Sequence, residues 1–238
     1  MLNGKIISIS EITNDDMERM LSLMNIYFDN VKRKNFLRDI NEKDFAIVMH
    51  DSANVLQGFS TIELIKDDID GIRFNAVFCG DTIIHEAYHG TRELPRIIGN
   101  YLMELHLNNP DSKTYLFLIS KGYKTYILLP RYFRKFYPSY KGGFPDFEKK
   151  AIDKLASGKF KEWYDKTEGI IRIPDNYFLK YSKYHITKGL MKNQDIAFFL
   201  SSNPGYVKGE ELACLAEFSV ENISSLFAQI LDNKSNEK

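Results

Sequence analysis

The sequence has few of the features that mark several common classes of protein. Its 238 residues include two cysteines and one tryptophan, and 32 basic residues balance 32 acidic ones. Two cysteines do not build a disulfide scaffold, and zero net charge provides no general attraction for nucleic acid. No apolar run approaches the ~20 residues that span a bilayer, and the first ten residues lack the apolar core of a signal peptide. We expect a cytoplasmic protein that binds neither nucleic acid nor membranes, with Cys79 and Cys214 as buried free thiols.

The sequence does contain enough apolar material for one sizeable core. Hydrophobic residues make up 44% of the chain, and its length corresponds to one large domain or one domain with an elaboration. No internal repeat or low-complexity linker divides it. We predict a single domain over residues 1–238, in which residues 232–238 form a polar, mobile tail.

The first quarter of the chain predicts short strands around one helix. Thr13 and Asp16 resemble a capping box, and the apolar residues that follow keep helical spacing. Apolar runs bounded by turn residues predict strands at 5–9, 44–49 and 55–64.

A longer strand and a second helix follow. We predict the strand over residues 74–84, where Gly80 marks a bulge or a close approach of another part of the chain. Apolar positions from Leu94 to Leu105 then recur at helical spacing, and Pro95 falls in the first turn, where proline is tolerated. The free N–H groups and positive dipole end of a helix that follows a strand suit a pyrophosphate group.

The same region matches the HExxH zinc motif. A zinc hydrolase would need His85 and His89 on one face of a continuous helix, with Glu86 as the general base. The residues before His85 are mostly β-branched or aromatic, and Gly90 follows the second histidine, so a strand and a turn are favoured over a helix. The zinc hydrolase is kept as an alternative.

The segment from Gly80 to Gly90 resembles motif A of the GNAT acyltransferases. In that family, a strand with the pattern V-x-P-x-Y-R-G-x-G runs into the helix that holds the pyrophosphate of acetyl-CoA. Ile84 matches the last apolar position of that strand and Tyr88 its aromatic position. His89 matches the Arg or Gln of the pattern, and Gly90 matches the residue after it.

The resemblance implies an α/β (α+β) fold: a mixed, mostly antiparallel central sheet with splayed parallel strands, flanked by helices, with an added helical cover segment. It also implies a GNAT-type N-acyltransferase (EC 2.3.1.-). Acetyl-CoA or another acyl-CoA would be the co-substrate, the amine of a small molecule or a peptide the acceptor, and no metal would take part. The residues it places against the acyl-CoA are Thr82, Ile83, Ile84, His89, Gly90, Thr91, Arg92, Glu93 and Leu94.

Three positions depart from the family pattern. Arg92 and Leu94 stand where small residues are usual, and Glu86 stands where proline is common. Arg92 is either a phosphate contact or a solvated residue at the start of the helix. The departures leave a second alternative open, a catalytically silent GNAT-like binding module.

The continuous apolar run 114–119 predicts a strand buried on both faces. With the helical segment after it, the run resembles the next part of the GNAT core, where two parallel strands splay apart around the pantetheine arm. A tyrosine in that helix often protonates the departing thiolate. Tyr126 lies about where it falls, and Tyr123 competes for the role.

The chemistry implied is direct attack of an amine on the thioester. An amine of pKa ~10 is almost wholly protonated at neutral pH, so a base is needed. Asp81 is the leading candidate, because it precedes the pantetheine-pairing residues and follows a glycine that opens space. Asp81 as a structural turn residue is the alternative, and His85 and Glu63 are the competing bases.

The last part of the chain is predicted to complete and cover the sheet. We expect residues 141–194 to form an insertion over the acceptor site, with helical patterns at 151–155 and 160–164 and a strand-like run at 170–173. The closing strands are predicted at 195–200 and 212–218, and a final helix at 223–231.

Overall fold

The structure is a computed structural model that describes residues 2–232. Its strands are β1 Asn3–Ser8, β2 Phe28–Asp29, β3 Phe45–His50, β4 Leu56–Ile69, β5 Ile72–Ile84, β6 Lys113–Ser120, β7 Tyr164–Asp165, β8 Ile170–Ile171, β9 Phe178–Leu179 and β10 Glu211–Glu217. Its helices are α1 Asn14–Tyr27, α2 Arg33–Asn41, α3 Glu93–Asn108, α4 Tyr123–Tyr126, α5 Leu128–Tyr132, α6 Asp146–Phe160, α7 Tyr181–Tyr184, α8 Gln194–Ser202 and α9 Ser225–Asp232. Within this range, no helix is long and apolar enough to cross a bilayer.

In the described residues, eight strands form one sheet in the order β1-β3-β4-β5-β6-β10-β8-β7. β5 and β6 are parallel, and the other neighbours in the sheet are antiparallel. Helix α3 makes the long crossover that a parallel pair requires. The predicted fold class, a mixed and mostly antiparallel sheet flanked by helices, is confirmed.

Strands β4 and β5 form a long hairpin with a tight two-residue turn. Asp70 and Gly71 occupy the turn with φ of 53° and 81°. An Asp-Gly pair suits this turn because both positions need a left-handed backbone, which glycine and, less readily, aspartate adopt. The hairpin therefore extends further than the predicted strand ending at residue 64.

The predicted bulge at Gly80 is present in β5. Cys79 pairs with Ile62 and Thr82 pairs with Ser60, so Gly80 and Asp81 together face the single residue Thr61. A Cβ atom at position 80 would lie 2.5 Å from Thr61 Oγ1. The bulge therefore needs glycine at this position, and it sets Asp81 apart from the regular alternation of the strand.

Helices cover both faces of the sheet. On one face, called the α3 face, Val77 of β5 and Leu116 of β6 pack with Ile97 of α3 and with residues of α8 and α9. On the other, called the α6 face, Phe78 and Phe117 pack with residues of α6. Helices α1 and α2 cover the same face over β3 and β4. The sheet is thus the middle of three layers, with its central strands buried on both sides.

Two of the predictions for the last third of the chain are wrong. Residues 195–200 lie in helix α8, because Asn193 caps it by accepting from the N–H groups of Asp195 and Ile196. Ile196 and Phe199, three residues apart, bury one helical face rather than alternating. Residues 160–164 are not helical throughout, since α6 ends at Phe160 and a 3-10 turn leads into β7.

Other predicted elements of this region are present at least in part, and the strand-like run at 170–173 contains β8, Ile170–Ile171. Strand β10 overlaps all but the last residue of the predicted closing strand at 212–218, and α9 overlaps the predicted final helix at 223–231. Of the predicted tail 232–238, Asp232 is the last residue of α9, and 233–238 lie outside the described residues.

Candidate active site

The two parallel strands separate halfway along the sheet. β5 and β6 pair from Phe74 with Lys113 as far as Cys79 with Leu118. Beyond that point β5 continues along β4, and β6 continues along β10. The bulge begins at the next residue, Gly80, so the change in register and the loss of pairing coincide. The predicted splay of the parallel strands is therefore present.

A cleft of about 1290 Å³ passes through this gap and is open to both faces of the sheet. On the α3 face it is bordered by α3, α4 and α5, and on the α6 face by α1, α2, the end of α6 and residues 173–179. Its lining includes Leu94, Ile98, Tyr123 and Leu128 on the first side and Tyr27, Phe36, Asp39, Trp163 and Tyr177 on the second.

Asp81 lies at the gap with its carboxyl group partly buried. Tyr177 Oη donates a hydrogen bond to its Oδ1. Burial, and after it the negative charge of Asp39, raise the pKa of Asp81 to about 6, although the Tyr177 hydrogen bond and the charges of Lys121 and Lys43 act in the opposite direction. A carboxylate with this pKa is mostly ionised at neutral pH and is a stronger base than an ordinary aspartate.

A chain of polar groups continues from Asp81 across the gap. Lys121, just after β6, places its ammonium 3.3 Å from the centre of the Tyr177 ring and donates to the Tyr177 carbonyl oxygen at 3.0 Å. The same ammonium lies 3.4 Å from Glu211 Oε1 at the start of β10. Burial lowers the pKa of Lys121 and raises that of Glu211, while each charge favours the ionised form of the other. The chain joins β5, β6 and β10 where backbone pairing between β5 and β6 has ended.

The predicted pantetheine-pairing residues Thr82, Ile83 and Ile84 line the cleft. The N–H of His85 donates to Gln57 of β4 at 2.7 Å. Because successive backbone groups of a strand point to opposite edges, the N–H and C=O of Ile84 face the gap. The Ile84 carbonyl already accepts from Tyr27 Oη at 3.2 Å and from His89 Nε2 at 3.0 Å.

The start of α3 borders the cleft through only some of the predicted residues. The predicted residues that line the cleft are His89, Gly90, Thr91 and Leu94, whereas Arg92 is exposed. The Glu93 carboxylate points away from the cleft, where it accepts from the Gly4 N–H at 2.8 Å and pairs with Arg96.

Few N–H groups remain free in the first turn of α3. The N–H of Glu93 donates to Thr91 Oγ1, and Pro95 has no N–H. The first turn therefore offers fewer donors to a phosphate than a helix start without proline.

The structure separates the two candidate tyrosines. Tyr126 is fully buried on the α3 face, its ring packs against Phe198 and Phe199, and its hydroxyl donates to the Pro138 carbonyl at 2.8 Å. It is not among the residues that line the cleft, because helix α4 turns it into the core. Tyr123, one helical turn earlier, does line the cleft.

The other candidate bases, Glu63 and His85, are less well placed than Asp81 to take a proton from an acceptor in the cleft. Glu63 pairs with Lys159 on the α6 face, and His85 accepts from the Ala87 N–H. Cys79 borders the cleft, but burial raises its pKa to about 12, which keeps the thiol protonated and weakly nucleophilic.

The zinc alternative requires a helix that the chain does not form here. β5 ends at Ile84, a 3-10 turn covers Glu86–Tyr88, and both His85 and His89 have extended backbone angles. A helical i, i+4 pair of ligands therefore does not exist at this motif. Among the described residues no group of three or more His, Cys, Asp or Glu side chains is placed to hold a metal ion.

Sequence reasoning did not identify the groups that surround Asp81. Asp39 and Lys43 are four residues apart, but Lys121, Tyr177 and Glu211 come from separate parts of the chain, and no spacing links any of the five to Asp81. Lys121, just after the buried strand at 114–119, was the one sequence signal for this cluster. A charged residue that follows such a strand lies at the edge of the sheet where the gap opens.

Comparison with solved structures finds GNAT N-acetyltransferases, the family that the sequence resembles. The family member YhbS from Escherichia coli, in complex with CoA, matches at 17% identity and a TM-score of 0.36 over 51% of this chain, and this chain spans only 64% of its length. Glucosamine-6-phosphate N-acetyltransferase from Arabidopsis thaliana matches at 12% identity and a TM-score of 0.39, over 55% of this chain and 89% of that one. A probable N-acyltransferase from Enterococcus faecalis matches at 13% identity and a TM-score of 0.42, over 92% of this chain and 66% of that one.

The sequence comparisons find less: no protein-family model and no curated protein matches the sequence. The fold of this chain is defined by its own strand order and pairing, and these similarities assign no residue roles.

Proposed function

We propose that this protein is an acyltransferase that moves an acetyl or other acyl group from acyl-CoA to the amine of a small molecule or peptide. The observation that carries the proposal is the gap between β5 and β6, which places a partly buried carboxylate, Asp81, in a cleft open to both faces of the sheet. One face would receive the acyl donor and the other the acceptor, so the two substrates meet at the gap.

Asp81 would remove a proton from the acceptor. An alkylammonium with a pKa of ~10 cannot attack a thioester until it loses a proton. One proton passes from the ammonium nitrogen to an oxygen of Asp81, the nitrogen bonds to the carbonyl carbon, and the carbon–sulfur bond breaks. The second proton that the nitrogen loses on becoming an amide balances the proton that the departing thiolate gains. Because the pKa of Asp81 is about 6, activity limited by this step should rise with pH through about 6.

The open edge of β5 would hold the donor. An extended chain with amide groups can bond to an unpaired strand edge, as an added strand does. The Ile84 N–H faces the gap. This N–H group would donate a hydrogen bond to the thioester oxygen as negative charge develops on that oxygen. Thr82, Ile83, Ile84, His89, Gly90, Thr91 and Leu94 border this path. The exposed Arg92 would reach a phosphate from outside the cleft, and Glu93 would act only by fixing the start of α3.

Residues 141–194 would serve partly as a cover for the acceptor. Trp163, Asp175 and Tyr177 line the α6 side of the cleft, which supports this role for the residues after α6. Helix α6 itself packs on the sheet. The covering part of the segment therefore begins near residue 161.

Tyr123 rather than Tyr126 would give the proton to the departing thiolate. Tyr123→Phe is expected to lower kcat ~10- to 100-fold, since a positioned proton donor contributes at this scale or above. Tyr126→Phe is the matched control, because its hydroxyl bonds only inside the core. It should cost about 1 kcal/mol of folding free energy and leave kcat nearly unchanged. Steady-state thiol release for both variants checks this, and a larger loss of kcat in Tyr126→Phe would contradict it.

Acetyl-CoA binding tests the donor half of the proposal directly. If the dissociation constant is micromolar, millimolar acetyl-CoA should stabilise the native chain by about 4 kcal/mol, a rise in Tm of roughly 10 °C. Differential scanning calorimetry measures this, with NAD⁺ as a nucleotide control that lacks the pantetheine arm. No shift with acetyl-CoA, or an equal shift with NAD⁺, would remove the basis for the proposal.

Transfer itself is tested by release of free CoA thiol with a panel of primary amines and amino-terminal peptides. Binding of acetyl-CoA without thiol release for any amine would favour the silent binding module. That alternative rests on Arg92 and Leu94, which stand where the family pattern has small residues, and the sparse N–H donors at the start of α3 agree with it.

A further inference from the structure

We propose that Tyr177 is a positioning residue for Asp81: its hydroxyl holds the carboxylate in the gap and sets its readiness to accept a proton. The inference deepens the proposed function and rests on it for the identity of the base. Tyr177 comes from a segment far along the chain, outside the strands that form the gap, and bonds directly to Asp81 Oδ1.

The segment that carries Tyr177, residues 173–180, is fixed at several points and is called the strap. β9 of the strap pairs with β2 after helix α1. Asn30 Nδ2 donates to the carbonyls of Asp175 and Asn176 at 3.1 Å each, and the Lys180 N–H donates to the Tyr27 carbonyl at 3.0 Å. The strap therefore ties the α1–α2 connection to the edge of the cleft, so the backbone at Tyr177 has a defined place.

The phenol ring is held on two sides. Phe28 packs edge-on against it, with the ring centres 4.9 Å apart, and the Lys121 ammonium lies 3.3 Å from its centre. A ring fixed in this way directs its hydroxyl at one oxygen of Asp81 and leaves Oδ2 for the acceptor amine. Burial, and then the charge of Asp81, raise the pKa of Tyr177 well above its usual value, so the hydroxyl stays protonated and donates at any pH where the enzyme would work.

A hydrogen bond to the ionised carboxylate favours that form. The other charged groups that face Asp81 are Asp39 of α2, which raises its pKa, and Lys43 and Lys121, which lower it. Asp39 and Lys43 are themselves paired at 2.7 Å. Tyr177 is thus the neutral member of the set and contacts Asp81 directly, so its removal should raise the pKa of Asp81 without a change in net charge.

The test is a pH titration by NMR of protein labelled with ¹³C at the aspartate carboxyl carbon. Asp81 is identified as the signal lost in Asp81→Asn. In the native chain its midpoint should lie near 6, and in Tyr177→Phe it should move upward by about one pH unit. The matched control is Tyr164→Phe, which removes a similar Tyr–Asp hydrogen bond, 2.8 Å long and outside the cleft lining. It should leave the Asp81 midpoint unchanged. A midpoint that stays in place or falls in Tyr177→Phe overturns the proposal.

A second measurement needs no variant at Tyr177. In the native chain, the ¹³Cζ signal of Tyr177, assigned through the backbone, should shift with the same midpoint as the Asp81 carboxyl, because its acceptor changes from a carboxylate to a carboxylic acid. Different midpoints would overturn the inference even if Tyr177→Phe did not fold.

These titrations contain neither acyl donor nor acceptor, so their result is independent of the acetyl-CoA experiment. If the two groups titrate together but acetyl-CoA does not bind, the proposed function fails and the coupling stands. If transfer is found, the acidic limb of kcat/KM against pH should move upward in Tyr177→Phe by the same amount as the NMR midpoint.

Discussion

Replacing Asp81 with Asn is expected to lower kcat for acyl transfer by a factor of ~10²–10⁴, the usual contribution of a positioned general base. The amide keeps the size of the side chain and can still accept from Tyr177, but it cannot take a proton from an ammonium. The residual rate should also lose its dependence on pH near 6. Thiol release between pH 5 and 9 measures both effects.

Asp153→Asn is the control for this substitution, since Asp153 accepts from Tyr164 in a pair resembling that of Asp81 and Tyr177 but lies away from the cleft. It should keep the native rate and pH profile. An Asp81→Asn enzyme with native kcat would show that another group, or water alone, removes the proton.

Asp81→Asn should also change stability in a direction that depends on pH. The folded pKa of Asp81, about 6, lies above its ordinary value, so the native state binds this proton more tightly than the unfolded state does. The folded protein therefore loses stability as pH rises from about 4 to above 6. The substitution should raise Tm more at pH 8 than at pH 4, as separate calorimetric scans would show. Groups in active sites often lower the stability of the folded protein in this way.

Replacing Lys121 with Met is expected to destabilise the fold by about 3–5 kcal/mol, because it leaves the charge of Glu211 buried without its partner. The side chains of Lys121 and Glu211 are each only 8% exposed. The loss should be measured by urea unfolding at pH 7. The double variant Lys121→Met/Glu211→Gln should recover part of it, since the unpaired charge is then absent.

The control for the buried pair is an exposed one. Lys150 and Asp70 lie 2.8 Å apart with side chains 58% and 74% exposed, so Lys150→Met should lower the free energy of unfolding far less than Lys121→Met does. An equal loss of stability in Lys121→Met and Lys150→Met would show that the polar chain across the gap does not hold the strands together beyond the end of the β5–β6 pairing.

Much of the fold was predictable because local patterns and tertiary packing agree. The helical spacing from Leu94 to Leu105, the strand at 74–84 and the bulge at Gly80 each depend on interactions within a short stretch or with an adjacent strand. Residues 195–200 were mistaken for a strand because a short apolar run suits both structures. Asn193 lies just before this run, and its side chain caps the helix, which stabilises a helix rather than a strand here.

The candidate site was predictable only on the side of β5. Asp81 followed from its position after Gly80 in a motif. Tyr126 was chosen because of its position in the family resemblance. In the short helix α4 its side chain points into the core, and Tyr123 lines the cleft. Tyr177 and Lys121 reach Asp81 through tertiary structure over separations of 96 and 40 residues, a distance over which periodicity carries no information.

The inserted residue in β5 has a consequence for engineering at this site. Two residues of β5 face the single residue Thr61, so the alternation of side chains shifts by one step. Odd-numbered residues of β5 therefore lie on the α3 face before the bulge and on the opposite face after it. Deleting either Gly80 or Asp81 would restore an unbroken alternation, and Ile83 would keep its place opposite Phe59, under α1 and α2. A chain that lacks one of these two residues should therefore keep this packing and lose the local displacement that sets Asp81 at the gap.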